Sequence, residues 1–368
     1  MDNPRPLIRA EVSALPAYNA GLHPEKLRRQ LGLDRIVKLD SNENPFGPSP
    51  RAIAAVKEAT KTLYRYPDRD ETLLRGLIAE RLGVAPDRLA FGDGSEDLIA
   101  ILYRMVMAPG DVAVTTVPSF GLHQIWAEVL GARALLLPFE TGWRFPVAAI
   151  EAALKAKPRV LILASPSNPV GAIMTAEDVD RVLRAAGPET LVIFDEAYVE
   201  FIEPAARVDV LARLADHAGP WAVLRTFSKA YGLAGLRLGY AIAHEADFIT
   251  NLYKVRSPFS VNAAALAAAE AAFADSQHLD MVVTAIRGLR TELAAALAGR
   301  GYAVAPSEGN SLFFDCGRDS RTVAAALRAQ GVLVKPWLEP GYTSHLRVSI
   351  GTRSENRAFL AALDAVTA

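Results

Sequence analysis

This sequence has almost no cysteine, and its histidines do not follow the spacing of a metal site. The one cysteine, Cys316, excludes a disulfide within the chain and is typical of a reducing compartment, so we expect a cytoplasmic protein. The histidines lack the spacing of metal ligands and have no partner cysteines, and we therefore expect no metal. We interpret them as scattered surface or packing residues: His23, His123, His217, His244, His278 and His345.

The sequence also has no excess of charge of one sign and no long apolar run. Forty basic residues face 41 acidic ones, a net charge of −1, which argues against nucleic acid as a partner. No run approaches the roughly 18 apolar residues of a membrane helix, and the N-terminus lacks the apolar segment of a signal peptide. With 368 residues and 51% hydrophobic content, the composition predicts a folded, soluble protein of roughly two domains.

Short apolar runs alternate with amphipathic helical stretches between Leu89 and Ala243. Continuous apolar runs bounded by turn residues are typical of strands buried on both faces. Their alternation with helices predicts an α/β fold, a three-layer α/β/α domain with a mostly parallel sheet. The predicted strands cover 88–91, 112–116, 134–137, 160–164, 191–194, 222–224 and 240–243.

The pattern changes after Pro258. One long helix is predicted over 262–297, and strands are predicted at 311–315, 331–335 and 346–350, which indicates a smaller α+β domain. The first residues are punctuated by proline and predict an arm. We therefore predict three parts: an N-terminal arm, 1–38, a large cofactor-binding domain, 39–258, and a small C-terminal domain, 259–368.

A glycine-containing turn, Phe91–Asp97, joins a predicted strand to a helix. Glycines let the backbone approach an anion, and the free amides at a helix start point toward it. Gly92 and Gly94 fit the start of a dinucleotide motif, but Asp97 occupies the place of its third glycine. We therefore expect a monophosphate site here, with a plain turn and helix cap as the alternative.

Two further strand ends carry polar residues. Asn168 lies between Pro166 and Pro169 and could present its amide rigidly to a ligand oxygen, although such punctuation alone is more often a turn. Asp195 follows a buried strand, where a carboxylate needs a partner.

Four apolar residues followed by Asp195 and Glu196 also resemble the second motif of a phosphate-loop NTPase. That class requires a G-x-x-x-x-G-K-[S/T] loop, which the sequence lacks. A protonated ring nitrogen is the other candidate partner.

Lys229 comes just after a predicted strand and is flanked by the hydroxyls of Thr226 and Ser228, with Arg237 eight residues on. A lysine in an apolar pocket loses its proton more easily and becomes a nucleophile able to form a Schiff base. The hydroxyls and the arginine suit an anion beside it. The alternative is a solvated surface lysine.

These motifs together resemble the fold type I pyridoxal-phosphate aminotransferases. The resemblance rests on their order and spacing: Asn168-Pro-Val-Gly, Asp195-x-x-Tyr198, Ser228-Lys229 and Arg237. It is closest to the histidinol-phosphate aminotransferases, on the stretches Leu39-Asp-Ser-Asn-Glu-Asn-Pro-Phe-Gly, Arg65-Tyr-Pro-Asp and Leu346-Arg-Val-Ser-Ile-Gly-Thr, and so covers nearly the whole chain.

The resemblance implies roles around pyridoxal 5'-phosphate. Lys229 would join the cofactor aldehyde and move the substrate proton, Asp195 would pair with the pyridine nitrogen, and Tyr198 would hold the ring 3-oxygen together with Asn168. Phe120 would stack on the ring, or could simply be core. The implied phosphate ligands are Ser95, Glu96, Ser228, Arg237 and, from the partner of a homodimer, Tyr66.

For the substrate, the resemblance implies that Arg347 clamps a carboxylate and that Tyr18 and Asn310 border the pocket. Lys335 stands where the better-known relatives carry arginine, and lysine lacks the bidentate fork of arginine. We expect transamination of histidinol phosphate with 2-oxoglutarate, giving imidazole acetol phosphate and glutamate in histidine biosynthesis. An aromatic amino acid aminotransferase, an amino acid phosphate decarboxylase and a non-catalytic sensor remain alternatives.

Overall fold

The computed structural model describes residues 7–15 and 24–367. Thirteen strands are found in this part of the chain: β1 Val37–Lys38, β2 Leu89–Gly92, β3 Val112–Val117, β4 Arg133–Pro138, β5 Val160–Ala164, β6 Leu191–Asp195, β7 Trp221–Thr226, β8 Gly239–Ala243, β9 Ala303–Val304, β10 Ser311–Asp315, β11 Val332–Leu333, β12 Lys335–Pro336 and β13 His345–Ser349.

The helices of the same residues are α1 Ala10–Ser13, α2 Pro24–Leu31, α3 Pro50–Ala59, α4 Thr72–Leu82, α5 Gly94–Val106, α6 Leu122–Val129, α7 Val147–Leu154, α8 Ala176–Ala185, α9 Val210–Leu214, α10 Ala246–Val255, α11 Ala263–Ala274, α12 Ser276–Ala298, α13 Ser320–Ala329 and α14 Arg353–Thr367. Short 3-10 turns cover Thr60–Thr62, Pro86–Arg88, Val199–Phe201, Pro204–Ala206 and Ala234–Leu236. No helix of the described residues is both long enough and apolar enough to cross a membrane.

The central layer is a seven-stranded sheet in the order β2-β8-β7-β6-β5-β3-β4. Pairs along β7-β6-β5-β3-β4 are parallel, and β8 runs antiparallel to both of its neighbours. The carboxyl ends of β5, β6 and β7 therefore meet at one edge, where Ala164 pairs with Asp195 and Asp195 with Leu224. This edge is the place where ligands bind in such sheets.

Alternate residues of the sheet strands belong to two different apolar cores. Leu161 and Leu163 of β5 pack with α4, α7, α8 and α11, whereas Val160 and Ile162 pack with α5, α6 and α10. Successive side chains of a strand point to opposite faces, so both faces of the sheet are covered by helices. The three-layer arrangement predicted from the apolar runs is confirmed.

A second, four-stranded sheet in the order β12-β13-β10-β9 forms from the C-terminal part of the chain. It packs with α12, α13 and α14 around a separate core that includes Phe314, Val348 and Phe359. β1 and β11 pair in parallel beside it, with Val37 opposite Val332. Residues 39–42 leave this pair and reach the edge of the large sheet where the polar strand ends meet.

Two predicted elements differ from the structure. The helix predicted over 262–297 is two helices, because Asp275 ends α11 in a non-helical conformation and caps α12 by accepting the amide hydrogen of His278. The strand predicted over 331–335 is broken between Leu333 and Lys335. β11 pairs with β1 and β12 with β13, so the two halves serve different sheets.

The division at 38/39 and 258/259 stays a prediction, and two contacts bear on it. β1, at the end of the predicted arm, is hydrogen-bonded to β11 of the C-terminal part. Helix α11, which follows the predicted second boundary, packs on α3 and α4 and contributes Ala265 and Ala269 to a core of the large sheet. Helix α12 instead contributes to the core of the small sheet.

Candidate active site

A cavity of about 920 Å³ opens at the carboxyl edge of the large sheet, between it and the small sheet. Residues from both sheets and from the strip 38–43 line it. The lining residues that the sequence analysis predicted are Ser95, Glu96, Phe120, Asn168, Asp195, Tyr198, Ser228, Lys229, Arg237, Lys335 and Arg347. Eleven residues spread over 253 positions of sequence thus come together at one site.

Part of the cavity lining consists of groups that suit an anion. Helix α5 begins at Gly94, so the amides of Ser95 and Glu96 lie in its first turn and have no partner within the helix. Arg237 lies close by: a side chain at Gly94, which has φ +83°, would come within 2.5 Å of the Arg237 Nη2 atom. The Ser228 hydroxyl lines the same cavity. Amides, a hydroxyl and a guanidinium are the groups that hold a phosphate.

The side chain of Lys229 lines the cavity. Its Nζ donates to the carbonyl oxygen of Ser41 at 3.3 Å and lies 5.6 Å from the ring centre of Tyr198. Burial, together with the positive charge of Arg347, lowers the pKa of Lys229 to about 8. About a tenth of this amine is therefore unprotonated at pH 7, far more than for a lysine of ordinary pKa, and the unprotonated form is the one that acts as a nucleophile or base.

Asp195, the last residue of β6, is buried, and its carboxylate lies against a histidine. Asp195 Oδ1 accepts the amide hydrogen of Ala197 at 3.1 Å, and Oδ2 lies 3.3 Å from His123 Nε2. The other ring nitrogen of His123 is 3.3 Å from the Ser119 hydroxyl. These contacts hold the carboxylate in place while it lines the cavity. The neighbouring Glu196 pairs with Arg225 at 2.8 Å instead.

His123 was interpreted as one of the scattered surface or packing residues; the structure packs it in the interior and adds a contact with Asp195 that was not predicted. His123 is fully buried on the first turn of α6, directly after the loop that follows β3, and it contacts Asp195 across 72 residues of sequence. Its position after a strand end was visible in the sequence. Its contact with Asp195 was not, because it depends on β3 and β6 lying on either side of β5.

Arg347 joins the two sheets at the cavity. It lies on β13, and its Nη1 atom donates to Asn168 Oδ1 at 2.8 Å while Nη2 donates to the carbonyl oxygen of Asp40 at 2.5 Å. Asn168 follows β5, so the contact spans the large and small sheets. Phe120 lies on the cavity wall with its ring edge-on to His123, 5.6 Å between centres.

The outer wall of the cavity carries both charge and aromatic surface. Lys335 lies opposite Arg347 in the small sheet, and burial and the charge of Arg347 lower the pKa of Lys335. Trp337 lines the cavity as well, with its indole nitrogen donating to Glu339 at 2.7 Å. Lys38, for which no role was predicted, also lines the wall, and its Nζ contacts Asp40 and Glu43 at 2.9 and 2.6 Å.

Two of the predicted residues do not line this cavity. Tyr66 is 81% exposed, does not line the cavity of its own chain, and stacks on Phe259 with 4.6 Å between ring centres. Asn310 is fully buried and is not among the lining residues, since its amide donates to the Asn42 carbonyl at 2.9 Å. Tyr18 lies outside the described residues.

The residues present fit the cofactor that the resemblance implies. An anion site, an aromatic wall, an amine of lowered pKa and a fixed carboxylate surround one cavity, and they match the phosphate, the ring, the aldehyde and the ring nitrogen of pyridoxal phosphate. No cluster of three or more metal-binding side chains occurs within residues 7–15 and 24–367.

Comparison with known proteins agrees with this geometry. Residues 34–363 match the family described as aminotransferase class I and II. Histidinol-phosphate aminotransferase 1 of Mesorhizobium japonicum is 42% identical over 97% of both chains, and histidinol-phosphate aminotransferase 3 of Rhizobium meliloti is 39% identical over 98% of both.

Solved structures extend the comparison to the fold. The histidinol-phosphate aminotransferase of Sinorhizobium meliloti in complex with pyridoxal-5'-phosphate superimposes with a TM-score of 0.90 at 29% identity, covering 99% of this chain and 98% of that one. The aspartate aminotransferase of Thermus thermophilus, at 20% identity and a TM-score of 0.84 over 98% and 99% of the two chains, shares the fold. The predicted fold class is confirmed, and the chain belongs to the family of class I and II aminotransferases.

Proposed function

We propose that this aminotransferase binds pyridoxal 5'-phosphate and transfers the amino group of histidinol phosphate to 2-oxoglutarate, a step of histidine biosynthesis. The observation that carries the proposal is that one cavity brings together the Lys229 amine, the Asp195 carboxylate and a phosphate-type anion site; burial, which lowers the pKa of Lys229 to about 8, supports it. Relatives 36–42% identical over nearly the whole chain carry the name histidinol-phosphate aminotransferase. When bound, the cofactor supplies an electron sink for a carbanion.

The side chains of the chain have separate tasks in this proposal. Asp195, held by His123 and the Ala197 amide, keeps a proton on the ring nitrogen. The Nζ atom of Lys229 takes the proton from the substrate carbon, since its pKa lies close to neutral pH. Ser95, Glu96, Ser228 and Arg237 bind the phosphate through amides, hydroxyl and guanidinium, and Phe120 covers the ring.

Arg347 receives the anionic group of each substrate in turn. In a transamination both substrates use one site, so the phosphate of the donor and a carboxylate of the acceptor must meet the same cationic wall. Arg347 and Lys335 lie opposite each other on β13 and β12 and both face the cavity. A phosphate ester does not cross a lipid layer unaided, and we therefore propose that the enzyme works in the compartment that holds its donor, the cytoplasm.

We further propose that the working enzyme is a homodimer in which Tyr66 reaches the cofactor phosphate of the partner. Tyr66 and Phe259 form an exposed aromatic pair, and Leu63, Tyr64 and Leu73 are exposed beside them in sequence, 57%, 76% and 60% respectively. Such a cluster of exposed large apolar side chains is typical of a protein interface. A tyrosine on such an interface can reach the cavity of a second copy of the chain although it does not line the cavity of its own chain.

Trp337 favours a second candidate donor, an aromatic amino acid. Its indole lines the cavity next to Lys335, which supplies charge without the fork of arginine. Aromatic surface at the wall would bind an aromatic ring as well as an imidazole, and the Arg347 guanidinium would bind the amino acid carboxylate. Which of the two donors is preferred therefore depends on how strongly Lys335 binds a phosphate.

A donor panel with 2-oxoglutarate tests the proposal. Purified protein supplied with pyridoxal phosphate is assayed with histidinol phosphate, phenylalanine, tyrosine, histidine and aspartate, and kcat/KM is compared. We expect histidinol phosphate to lead by at least about tenfold, equivalent to about 1.4 kcal/mol. A lead for phenylalanine or tyrosine would establish the second candidate. Release of carbon dioxide without a keto-acid acceptor would show a decarboxylase and refute both.

Lys335 allows a matched comparison of the two donors. Lys335→Arg restores a bidentate fork and should raise kcat/KM for histidinol phosphate while leaving that for phenylalanine nearly unchanged. Lys335→Met should lower the first and spare the second. Equal effects on both donors would show that Lys335 does not contact the donor phosphate.

A further inference from the structure

Asn42 is a buried residue that the roles above do not use, and it contacts one of the proposed cofactor ligands. It is 1% exposed and lies in the strip that runs from the small sheet to the cavity. Its Nδ2 atom lies 3.2 Å from the Tyr198 hydroxyl and 3.2 Å from the Ser311 hydroxyl. Its Oδ1 atom lies 3.0 Å from the Ser349 hydroxyl.

The hydrogen bonds around Ser349 determine which end of the Asn42 amide faces Tyr198. The backbone amide of Asn42 donates to Ser349 Oγ at 2.7 Å, so that oxygen already accepts one hydrogen. The serine's own hydrogen is then donated to Asn42 Oδ1. With its oxygen satisfied there, the Asn42 side chain presents its NH₂ group to Tyr198 and Ser311.

Ser349 and Ser311 are fixed by the small sheet. They lie opposite each other in the pairing of β13 with β10, on the last and first residues of those strands. Asn310, next to Ser311, donates to the Asn42 carbonyl at 2.9 Å. The side-chain amide of Asn42 is therefore held by Ser349 and Ser311, and its backbone carbonyl by Asn310, so the orientation of the amide does not depend on Tyr198.

An NH₂ group can only donate, so the Tyr198 oxygen must accept from Asn42. The hydrogen of the phenol is then left for another acceptor. Within residues 7–15 and 24–367 the hydroxyl of Tyr198 donates to no protein acceptor, although Tyr198 is only 7% exposed and lines the cavity. Burial raises the pKa of Tyr198, so the phenol keeps this hydrogen.

We infer that Asn42 is a positioning residue: it directs the hydroxyl hydrogen of Tyr198 into the cavity, toward the 3-oxygen of bound pyridoxal phosphate. This inference rests on the proposed function. The inference also explains the position of Asn310, which is buried and contacts the backbone of Asn42 rather than lining the cavity. The small sheet thereby influences a hydrogen bond made at the large sheet.

A purely structural role is the competing explanation. Asn42 has φ +54°, in the left-handed region where asparagine and glycine are favoured. If only the backbone conformation matters, glycine serves equally well, and so does aspartate, which has the shape of asparagine. The side chains that face Tyr198 with charge are Arg347, Asp195 and Lys229, and none of them changes in the variants below.

The experiment measures the pH titration of the visible absorption of the protein loaded with pyridoxal phosphate. A hydrogen donated to the 3-oxygen stabilises its negative charge, and that charge otherwise favours protonation of the nitrogen contributed by Lys229. Losing the donor should therefore raise the titration midpoint. Tyr198→Phe removes the hydroxyl. Asn42→Asp turns a donor into an acceptor, so the phenol hydrogen rotates toward residue 42 and leaves the cavity.

We expect each single variant to raise the midpoint by about one pH unit, the effect of one hydrogen bond to a charged group. The double variant should titrate like Tyr198→Phe alone, because the aspartate then has no hydroxyl to turn. Asn42→Gly, which tolerates the same backbone, should shift the midpoint in the same direction by a smaller amount, and this shift should also vanish in the Tyr198→Phe background.

Three results would overturn the inference. Wild-type titration of Asn42→Gly would show a backbone role only. A shift from Asn42→Asp that persists at full size with phenylalanine at 198 would show a direct effect of the new charge. A wild-type protein that develops no visible band with the cofactor would refute the proposed function, and the inference with it. Circular dichroism of each variant identifies any that fails to fold. If Asn42→Asp does not fold, the titration of Asn42→Gly alone distinguishes the positioning role from the backbone role.

Discussion

Arg347 Nη1 donates to Asn168 Oδ1 at 2.8 Å, joining a strand of the small sheet to the loop after β5 of the large one. The two residues are 179 positions apart in sequence. Their proposed ligands differ, an anionic substrate group for the arginine and the ring 3-oxygen for the asparagine. The contact therefore holds the side chains that we propose for the substrate anion and for the cofactor ring at a fixed separation.

Arg347→Lys should lower kcat/KM for both substrates about 10- to 100-fold, because lysine keeps the charge and loses one charged hydrogen bond of about 1.5–3 kcal/mol. Single-turnover absorbance with histidinol phosphate and with glutamate measures the two half-reactions separately. Arg353→Lys, in an exposed ion pair with Glu292, is the matched control and should change little. A loss confined to one half-reaction would show that the substrates use different anion sites.

His123→Phe should speed the loss of cofactor and lower kcat about five- to tenfold, since Asp195 then loses one hydrogen-bond partner worth about 1 kcal/mol. Cofactor dissociation is followed by fluorescence after dilution. His123→Asn keeps a polar group near Asp195 and should recover part of the loss. If phenylalanine and asparagine behave alike, the effect comes from packing and the contact with Asp195 has no role in cofactor binding.

Mixing two defective chains tests the shared site. Lys229→Ala lacks the amine and Tyr66→Ala lacks the proposed phosphate ligand, so each homodimer should be nearly inactive. A mixed dimer has one site with an intact lysine and an intact partner tyrosine, and random mixing should restore about a quarter of the wild-type sites. No recovery, with mixed dimers verified by native mass spectrometry, would mean that Tyr66 does not serve the partner.

The lowered pKa of Lys229 predicts a pH-dependent stability of the cofactor-free protein. Burial lowers this pKa to about 8, below the ordinary value of about 10.4, so the unfolded chain binds more protons between these pH values. The contribution of Lys229 to the free energy of unfolding is therefore unfavourable at neutral pH, and this penalty is relieved as the pH rises through that window.

Lys229→Met should accordingly unfold at a higher urea concentration than the wild type near neutral pH, with the difference shrinking toward about pH 10. Lys254→Met is the control, since Lys254 is exposed on α10. A difference that is the same at both pH values would show that the charge on Lys229 is not penalised by burial.

Local patterns in the sequence were enough for the large sheet. Runs such as Val160–Ala164 and Leu191–Phe194 are apolar at every position, and the structure buries every residue of both. Length and continuity distinguish such strands from helices without any tertiary information. The break of the C-terminal strand between Leu333 and Lys335 was not predictable, because the residues on both sides suit a strand and only their partners differ.

Most of the predicted site came from residues at strand ends or helix starts, namely Asp195, Asn168, Lys229 and the Ser95–Glu96 turn. Local chemistry marks such positions, because a carboxylate or lysine after a buried strand needs a partner. His123 and Asn42 were missed for the opposite reason. One sits on an ordinary helix turn and the other in a polar strip, and nothing near either in sequence reveals its partner.

The order of apolar runs, turns and reactive side chains determined by itself the strands of the large sheet, which ends of them carry chemistry and which family the chain belongs to. The tertiary structure alone decided that His123 meets Asp195, that Arg347 meets Asn168 and that Asn42 meets Tyr198. Each of these contacts joins residues at least 72 positions apart. Strand order and the packing of the small sheet against the large one bring these residues together in space. Neither feature is encoded in any short stretch of the chain.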